Sequence, residues 1–382
     1  MNLAVLCFHA LGGSGVVASE LARELALRGH RVHFIGAALP GRLEPVPEGI
    51  ELHRVPPELP APVGAQAFPV ELAARLIDVV RDERIELIHA HYAVPHAAAA
   101  ALARAALGDR APPLLVTLHG SDVPADGARE GQVLLVQRLV LDADAVTVPS
   151  AALAAHARAR LRLPAGRALE VIPNFVDVER FRPRALDSRA AAADRAPLAA
   201  LFPGRSPAVL CHASNFRPVK RPLDLVRIFA AVRARAGRDT ALVLAGDGPE
   251  RPRVEAEVAR LGLSRDVAFA GATRDLAPLL RASELFLLPS ESESFGLAAL
   301  EAMSSGVPVI GSRVGGLPEV VGEGGLLFPV GDCDGMADAA LRLLADEPRR
   351  ARLARAARDR AVSLFEKGPV VTRWEALYKQ LT

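Results

Sequence analysis

Glu293 and Glu301 stand eight residues apart in the string Glu-Ser-Phe-Gly-Leu-Ala-Ala-Leu-Glu. The first precedes an apolar helical pattern and the second lies within it. Across a helix that offset is about 12 Å along the axis. Each carboxylate accepts two hydroxyl hydrogen bonds, so the pair suits one extended ligand: a sugar, a diphosphate and a ribose in line. Between them Ser294, Phe295, Gly296 and Leu297 would offer backbone N–H groups at a helix N-terminus, where an anion is favoured. Glu301 falls in the apolar run 297–309, where a carboxylate without a partner is costly. An ordinary surface glutamate is therefore a poor reading of it.

A second group is basic. Ser214-Asn215-Phe216-Arg217-Pro218-Val219-Lys220-Arg221 follows a strand-like run and precedes a helical one. Arg217, Lys220 and Arg221 at the carboxyl end of a strand could neutralise a diphosphate without a metal; the plain alternative is a solvated basic loop. A third group is the Gly12-Gly13-Ser14-Gly15 loop after the first apolar run. The Gly15 N–H at a helix start is a candidate phosphate contact, against the plain reading of a tight turn. The dinucleotide fingerprint is incomplete, since Ala18 stands where the third glycine belongs and no acid ends the second strand. That disfavours a nicotinamide dehydrogenase. Finally, His89, His91, Tyr92 and His96 end one strand pattern, while Thr117, His119, Gly120, Ser121 and Asp122 end the next. The spacing of His89, His91 and His96 fits no standard zinc pattern, so no metal is expected, and His89 and His96 read more simply as packing residues.

The elements that must position these groups alternate. Strand patterns at residues 3–8, 32–36, 87–91, 114–118 and 145–148 are separated by helical ones near 70–83, 93–106, 131–142 and 150–161. The alternation breaks over 162–206, where a surface loop is expected at 184–206, and restarts at 209–213 through to 307–311. Strand–helix alternation implies parallel sheets covered on both faces. The expected fold is α/β: two doubly wound domains facing across a cleft, residues 1–166 and 207–367, joined by a linker region at 167–206. A helix over 368–382 is expected to cross back to the first domain, with Trp374 and Tyr378 on one face.

Composition narrows the class. The 382 residues carry 46 basic and 44 acidic side chains, a formal charge of +2, with 51% hydrophobic and 4% aromatic residues. That excludes a disordered chain and argues against electrostatic nucleic-acid binding. Three separated cysteines form no disulfide framework, and the apolar N-terminus lacks the basic region of a signal peptide. No apolar run of 18 residues occurs, so neither a membrane span nor a membrane partner is expected, and a cytoplasmic location is. Homo-oligomer formation is left open. Arginine is the default cation; only Lys220, Lys367 and Lys379 are lysines. The latter two need only a surface explanation, but Lys220 sits where a compact cation has a task.

Together these strings resemble the family 4 retaining glycosyltransferases of the GT-B fold, over nearly the whole chain. The glycine loop, His119-Gly120, Arg217/Lys220, Gly246-Asp247-Gly248-Pro249, Glu293/Glu301 and Gly315-Gly316-Leu317-Pro318-Glu319 carry the resemblance. His89-Ala-His91-Tyr92-Ala-Val-Pro95-His96, Thr117-Leu-His119-Gly120-Ser-Asp122 and the 214–221 string are similar to the branch that opens bacillithiol biosynthesis. Membership implies transfer of N-acetylglucosamine from UDP-N-acetylglucosamine to L-malate, with no cofactor. It also implies roles. Glu301 would hold the ribose hydroxyls and Glu293 the donor sugar. From its strand-end position, His119 could contact a sugar hydroxyl or, through its neighbours, the developing positive charge. Lys220, Arg217 and the Gly15 N–H would stabilise the diphosphate. Malate would lie near Ser14, Tyr92, Thr117 and Asn174, with Arg138 a candidate for its carboxylates. Where many members carry arginine five residues before the lysine, this chain has Asn215, and Arg217 is expected to replace it. The competing readings are another nucleotide sugar, a lipid, inositol phosphate or polysaccharide acceptor, or a sensor that binds without turnover. The helix near 70–83 is a poor membrane face, because its arginines are matched by Glu71, Asp78, Asp82 and Glu83.

Overall fold

The computed structural model describes residues 1–8, 13–38, 43, 45–56, 68–184, 188–273 and 275–382, without side chains at 188–191. Gly12 of the glycine loop lies outside them. The chain divides into two compact units, Met1–Pro173 with Gly368–Thr382, and Asn174–Lys367.

The first unit is built on seven strands: β1 (Asn2–Leu6), β2 (Arg31–Gly36), β3 (Ile50–Arg54), β4 (Leu87–His91), β5 (Leu114–Thr117), β6 (Ala145–Val148) and β7 (Glu170–Val171). The connecting helices are α1 (Ser14–Leu27), α2 (Phe68–Glu83), α3 (Ala98–Leu107), α4 (Glu130–Asp142) and α5 (Ala151–Arg160). The sheet order is β3-β2-β1-β4-β5-β6-β7 with every pairing parallel. β1 and the start of β4 and β5 read as apolar runs because both faces are covered; Leu3–Leu6, Leu87, Ile88 and Leu114–Val116 are all buried. β3 and β7 are the edges. Neither stands out in the sequence: Ile50-Glu-Leu-His-Arg54 alternates, as befits a strand with one face partly wet, and β7 is two residues long.

The second unit begins with α6 (Ser188–Leu201) and continues through β8 (Ala208–Ser214), α7 (Pro222–Arg235), β9 (Thr240–Gly246), α8 (Arg251–Arg260), β10 (Val267–Gly271) and α9 (Ala277–Arg281). Then come β11 (Leu285–Leu288), α10 (Leu297–Ser304), β12 (Val309–Ser312), α11 (Leu317–Val321), β13 (Gly325–Phe328), α12 (Cys333–Ala345) and α13 (Glu347–Phe365). Its sheet runs β10-β9-β8-β11-β12-β13, again all parallel. Successive side chains go to opposite faces. Val209, Val243, Phe286 and Val309 join one core, and Leu210, Leu242, Leu287 and Ile310 the other.

The expected loop at 184–206 contains a helix. Its alanines are strong helix formers, but few of its residues reach the core, so no apolar period announces it. Leu198 and Phe202 supply the packing, and Asp194 accepts from Arg281 at 2.8 Å and Arg182 at 3.2 Å. Lys367 is also more than a surface lysine: its Nζ donates to Asp177 at 3.0 Å.

Helix α14 (Lys367–Leu381) packs in the first unit. Trp374 and Tyr378, one turn apart, are 2% and 0% exposed. Both meet His89: Trp374 ring to ring at 5.2 Å and the Tyr378 hydroxyl at 2.8 Å from Nδ1. Arg28 and His30 grip the same helix through Glu375, at 2.6 and 3.0 Å. Trp374→Ala should lower the stability of the first unit by about 3–5 kcal/mol, read by urea denaturation. A loss below 1 kcal/mol would mean that α14 is not integral to it.

Candidate active site

Each sheet reverses its winding once. β1 lies between β2 and β4, and β8 between β9 and β11. At such a switch point the loops leaving two neighbouring strands diverge, and a crevice opens beyond their carboxyl ends. Most of the residues singled out from the sequence lie at these two points.

In the second unit the crevice lies beyond β8 and β11. Lys220 Nζ donates to Glu293 Oε1 at 2.7 Å, and Ser290 Oγ donates to the same oxygen at 2.8 Å. The loop carrying Lys220 is pinned from beneath. His212 bonds the Leu287 carbonyl and Ser214 Oγ, both at 2.8 Å, and Glu291 N donates to Val219 O at 2.8 Å. Phe216 at φ 36° and Arg221 at φ 49° bracket the loop in the left-handed region, a strained geometry that clusters at functional sites. Phe216 is fully buried; Asn215 and Arg217 are exposed.

Two motif glycines explain themselves here. A Cβ on Gly248 would collide with the Asn215 carbonyl, and one on Gly315 with the Glu293 carbonyl. Both also have positive φ, at 156° and 50°. Gly316 N donates to Glu293 O at 2.9 Å, so the distal glycine motif is a clamp on the Glu293 backbone.

Helix α10 starts at Leu297, with Gly296 before it at φ 101°. The helical rise thus separates only Leu297 from Glu301, about 6 Å, and the loop sets the remaining offset to Glu293. Ser294 and Leu297 are half-buried at this N-terminus, while Phe295 turns into the core against Phe365, rings 5.7 Å apart. Phe295 therefore has only its backbone to offer a ligand. Glu301 is 4% exposed.

In the first unit the crevice lies beyond β1 and β4. Ser14 Oγ donates to the Tyr92 hydroxyl at 2.8 Å, with Ser121 Oγ at 3.5 Å from the same oxygen. Gly15 is the second residue of α1, buried at its N-terminus. Tyr92 has φ 83°, which turns the chain sharply off β4. His119 is the hub: its Nε2 lies 3.0 Å from His91 Nδ1, and its ring is 5.0 Å from that of Tyr92. Asp122 has no role assigned from the sequence, yet its half-buried carboxylate accepts from the His119, Gly120 and Ala93 amides at 2.9–3.2 Å. The signal was there: an aspartate three residues past a strand-end histidine can fold back on the chain.

Thr117 faces away into a buried chain, bonded to His89 Nε2 and Thr147 Oγ1, both at 2.7 Å. Arg138 is exposed on α4 and paired with Asp142 one turn on, at 2.7 Å. Asn174 is half-buried and opens the second unit rather than closing the first, because Val176 bonds to Phe365 O at 2.9 Å. Thr117 meets the Ser14–Tyr92–His119 group only through its backbone, where its carbonyl accepts from Tyr92 N at 2.9 Å; no bond given for Arg138 or Asn174 among the described residues reaches that group.

Burial sets the protonation states. It lowers His89 and His119 to about 3 and His96 to about 4, and holds His91 well below the ordinary value. It raises Asp122 to about 6 against the amides that donate to it. His119 is thus a neutral hydrogen-bonding group near pH 7, able to contact a ligand hydroxyl.

Two doubly wound parallel-sheet units with sites at their switch points are the architecture of the GT-B glycosyltransferases. Residues 11–180 match the family described as Glycosyltransferase Family 4, and residues 207–346 the one described as Glycosyl transferases group 1. An N-acetyl-α-D-glucosaminyl L-malate synthase of Bacillus anthracis is 36% identical over 99% of this chain and 96% of its own. A D-inositol 3-phosphate glycosyltransferase of Saccharomonospora viridis is 33% identical over 92% of this chain and 85% of its own. The chain belongs to the family 4 glycosyltransferases. Anabaena HepE, solved with UDP and glucose, superposes with TM-score 0.82 at 21% identity, each chain covered fully. Among the described residues no helix is long and apolar enough to cross a membrane.

The lowered histidines fix a pH dependence. The unfolded chain takes up their protons first as pH falls, so the stability they hold is complete above about 6.5 and is withdrawn towards pH 3–4. Asp122 acts oppositely between about 6 and 4, but it is one group against four. Stability should therefore fall steadily from pH 7 to 5 in denaturant titrations. His96→Phe should flatten the slope by roughly 1 kcal/mol per pH unit; an unchanged slope would contradict the assignment.

Proposed function

We propose that this glycosyltransferase moves N-acetylglucosamine from UDP-N-acetylglucosamine to the hydroxyl of L-malate with retention of configuration. The observation that carries the reading is the Lys220–Glu293 pair at the β8/β11 switch point. It sets a compact cation beside a carboxylate 9% exposed, ahead of the α10 N-terminus. In this reading Lys220 and Arg217 meet the diphosphate oxygens, joined by the N–H groups of residues 294–297. Asn215 lies beside that cradle. Glu301 takes the ribose hydroxyls; Glu293, released from Lys220 by the incoming anion, takes the donor sugar with His119. The Gly15 amide adds a further donor to the diphosphate. As the bond from the anomeric carbon to the diphosphate breaks, the malate hydroxyl oxygen adds on the same face. The hydroxyl proton passes to the departing diphosphate oxygen.

Malate as acceptor is supported by the 36% identity to the Bacillus anthracis malate synthase over nearly the whole chain. Ser14 and Tyr92 are its proposed contacts. The second reading, an inositol phosphate acceptor, is favoured by the 33% identity to the Saccharomonospora viridis enzyme. Both acceptors pair a hydroxyl with anionic groups, so electrostatics alone does not separate them.

UDP release with UDP-N-acetylglucosamine and L-malate, run beside inositol 3-phosphate and malate analogues lacking the hydroxyl, decides between them. Release specific to malate is expected. Release only with inositol 3-phosphate establishes the second reading, and release with neither overturns both. Lys220→Ala should lower kcat by about 10²–10³. Glu301→Ala should chiefly raise the donor KM, since the ribose is bound alike before and during reaction. Full turnover in Lys220→Arg would show that charge, not the compact ammonium, is what matters at residue 220.

A further inference from the structure

At the edge of the first sheet, three side chains converge for which the transfer chemistry has no use. β2 and β3 pair with His33 opposite Glu51 and Ile35 opposite His53. Glu51 and His53, two apart on a strand, share a face, and His33 projects to the same side. His33 Nδ1 lies 2.9 Å from His53 Nε2, and Glu51 Oε1 lies 3.9 Å from that same nitrogen. One ligand atom from each residue falls within 4.8 Å of the other two. Ligands on a four-coordinate zinc ion, at 2.0–2.1 Å from the metal, stand about 3.3 Å apart. The observed separations bracket that spacing.

A second observation points the same way. His33 is 1% exposed, and among the described residues its Nε2 has no hydrogen-bond partner. Glu83 Oε2, at the end of α2, lies 4.0 Å from it. A histidine that ligates through one nitrogen characteristically points the N–H of the other at a carboxylate, which fixes the tautomer and strengthens the ligand. His33 has that arrangement half made: Nε2–H towards Glu83 leaves the Nδ1 lone pair facing His53 and Glu51. Arg31 holds the same Glu83 oxygen from the other side at 3.8 Å. Among the described residues access is open, because β3 is the sheet edge, the Glu51 side chain is 56% exposed, and a pocket of about 190 Å³ borders His33 and Glu51.

We propose that His33, His53 and Glu51 form a binding site for a divalent transition-metal ion of the zinc type, with Glu83 as the outer carboxylate. Two imidazoles, one carboxylate and an open fourth position are a donor set that zinc accepts and that magnesium or calcium does not favour. The ion would clasp the edge strand to β2 and to the end of α2.

The test uses the full chain, stripped with chelator and dialysed. Zn²⁺ is titrated in competition with a chromogenic chelator, and Co²⁺ is followed by its visible absorption. The expected result is one tight site per chain, a four-coordinate cobalt spectrum and a rise in Tm with zinc. Glu51→Gln, at an exposed position that leaves folding intact, should abolish the cobalt spectrum and the Tm rise. Glu83→Gln should retain the site but weaken it roughly 10–100-fold. His53→Ala should weaken it more than Glu83→Gln does. Absence of competitive binding overturns the proposal. So does binding that is unchanged in both Glu51→Gln and His53→Ala, which would assign the metal to other histidines such as exposed His156.

Discussion

Parallel strands cannot be joined by a tight turn. Each must be reached by a crossover, so the chain leaves every strand of such a sheet at the same edge. That constraint organises both units. All loops that follow strands gather at one edge, and where the winding reverses, at β1/β4 and at β8/β11, two of them part. Ser14 follows β1 and Tyr92 follows β4; Lys220 follows β8 and Glu293 follows β11. The Ser14–Tyr92 bond and the Lys220–Glu293 ion pair are thus the same topological event in two sheets with unrelated side chains.

The strands that present these loops are apolar, but polar atoms enter near their carboxyl ends, and several are tied to one another. Tyr378, His89, Thr117 and Thr147 form one buried chain from α14 through β4 and β5 to β6. His91 leads from this layer to His119. In the second unit His212 plays the corresponding part, joining β8 to the Leu287 carbonyl of β11 and to Ser214. Partners buried this deeply have few alternative arrangements, so the strand ends are held to one spacing.

Much of this was legible in the sequence, because buried parallel strands are continuous apolar runs and each leads into a helix. The elements that escaped notice were those that obey another rule. β3 alternates because it is an edge, β13 is four residues of Gly-Leu-Leu-Phe without a flanking period, and α6 is held by alanine propensity and Asp194 rather than by an apolar stripe. For the site, Glu293, Glu301 and Lys220 each stand in a string that marks its own loop, and the fold brings Lys220 and Glu293 together at 2.7 Å. Residues whose place depends on contacts distant in sequence carry no such mark. Thr117 sits at a strand end but faces the interior, because Thr147 and His89 lie on that side. Arg138 has a helical neighbour to pair with. The cluster of His33, Glu51 and His53 exists only through the register of a strand that the sequence hides.

The first unit is interrupted by the second. Residues 174–367 are synthesised between Pro173 and the segment that completes it. At ordinary rates of translation that is roughly 10–40 s. During this interval His89 has neither Trp374 nor Tyr378 against it, and the surface that α14 will cover is bare. The second unit is contiguous and has no such wait. The order in which the two cores can close should therefore run opposite to the order in which their first strands are made.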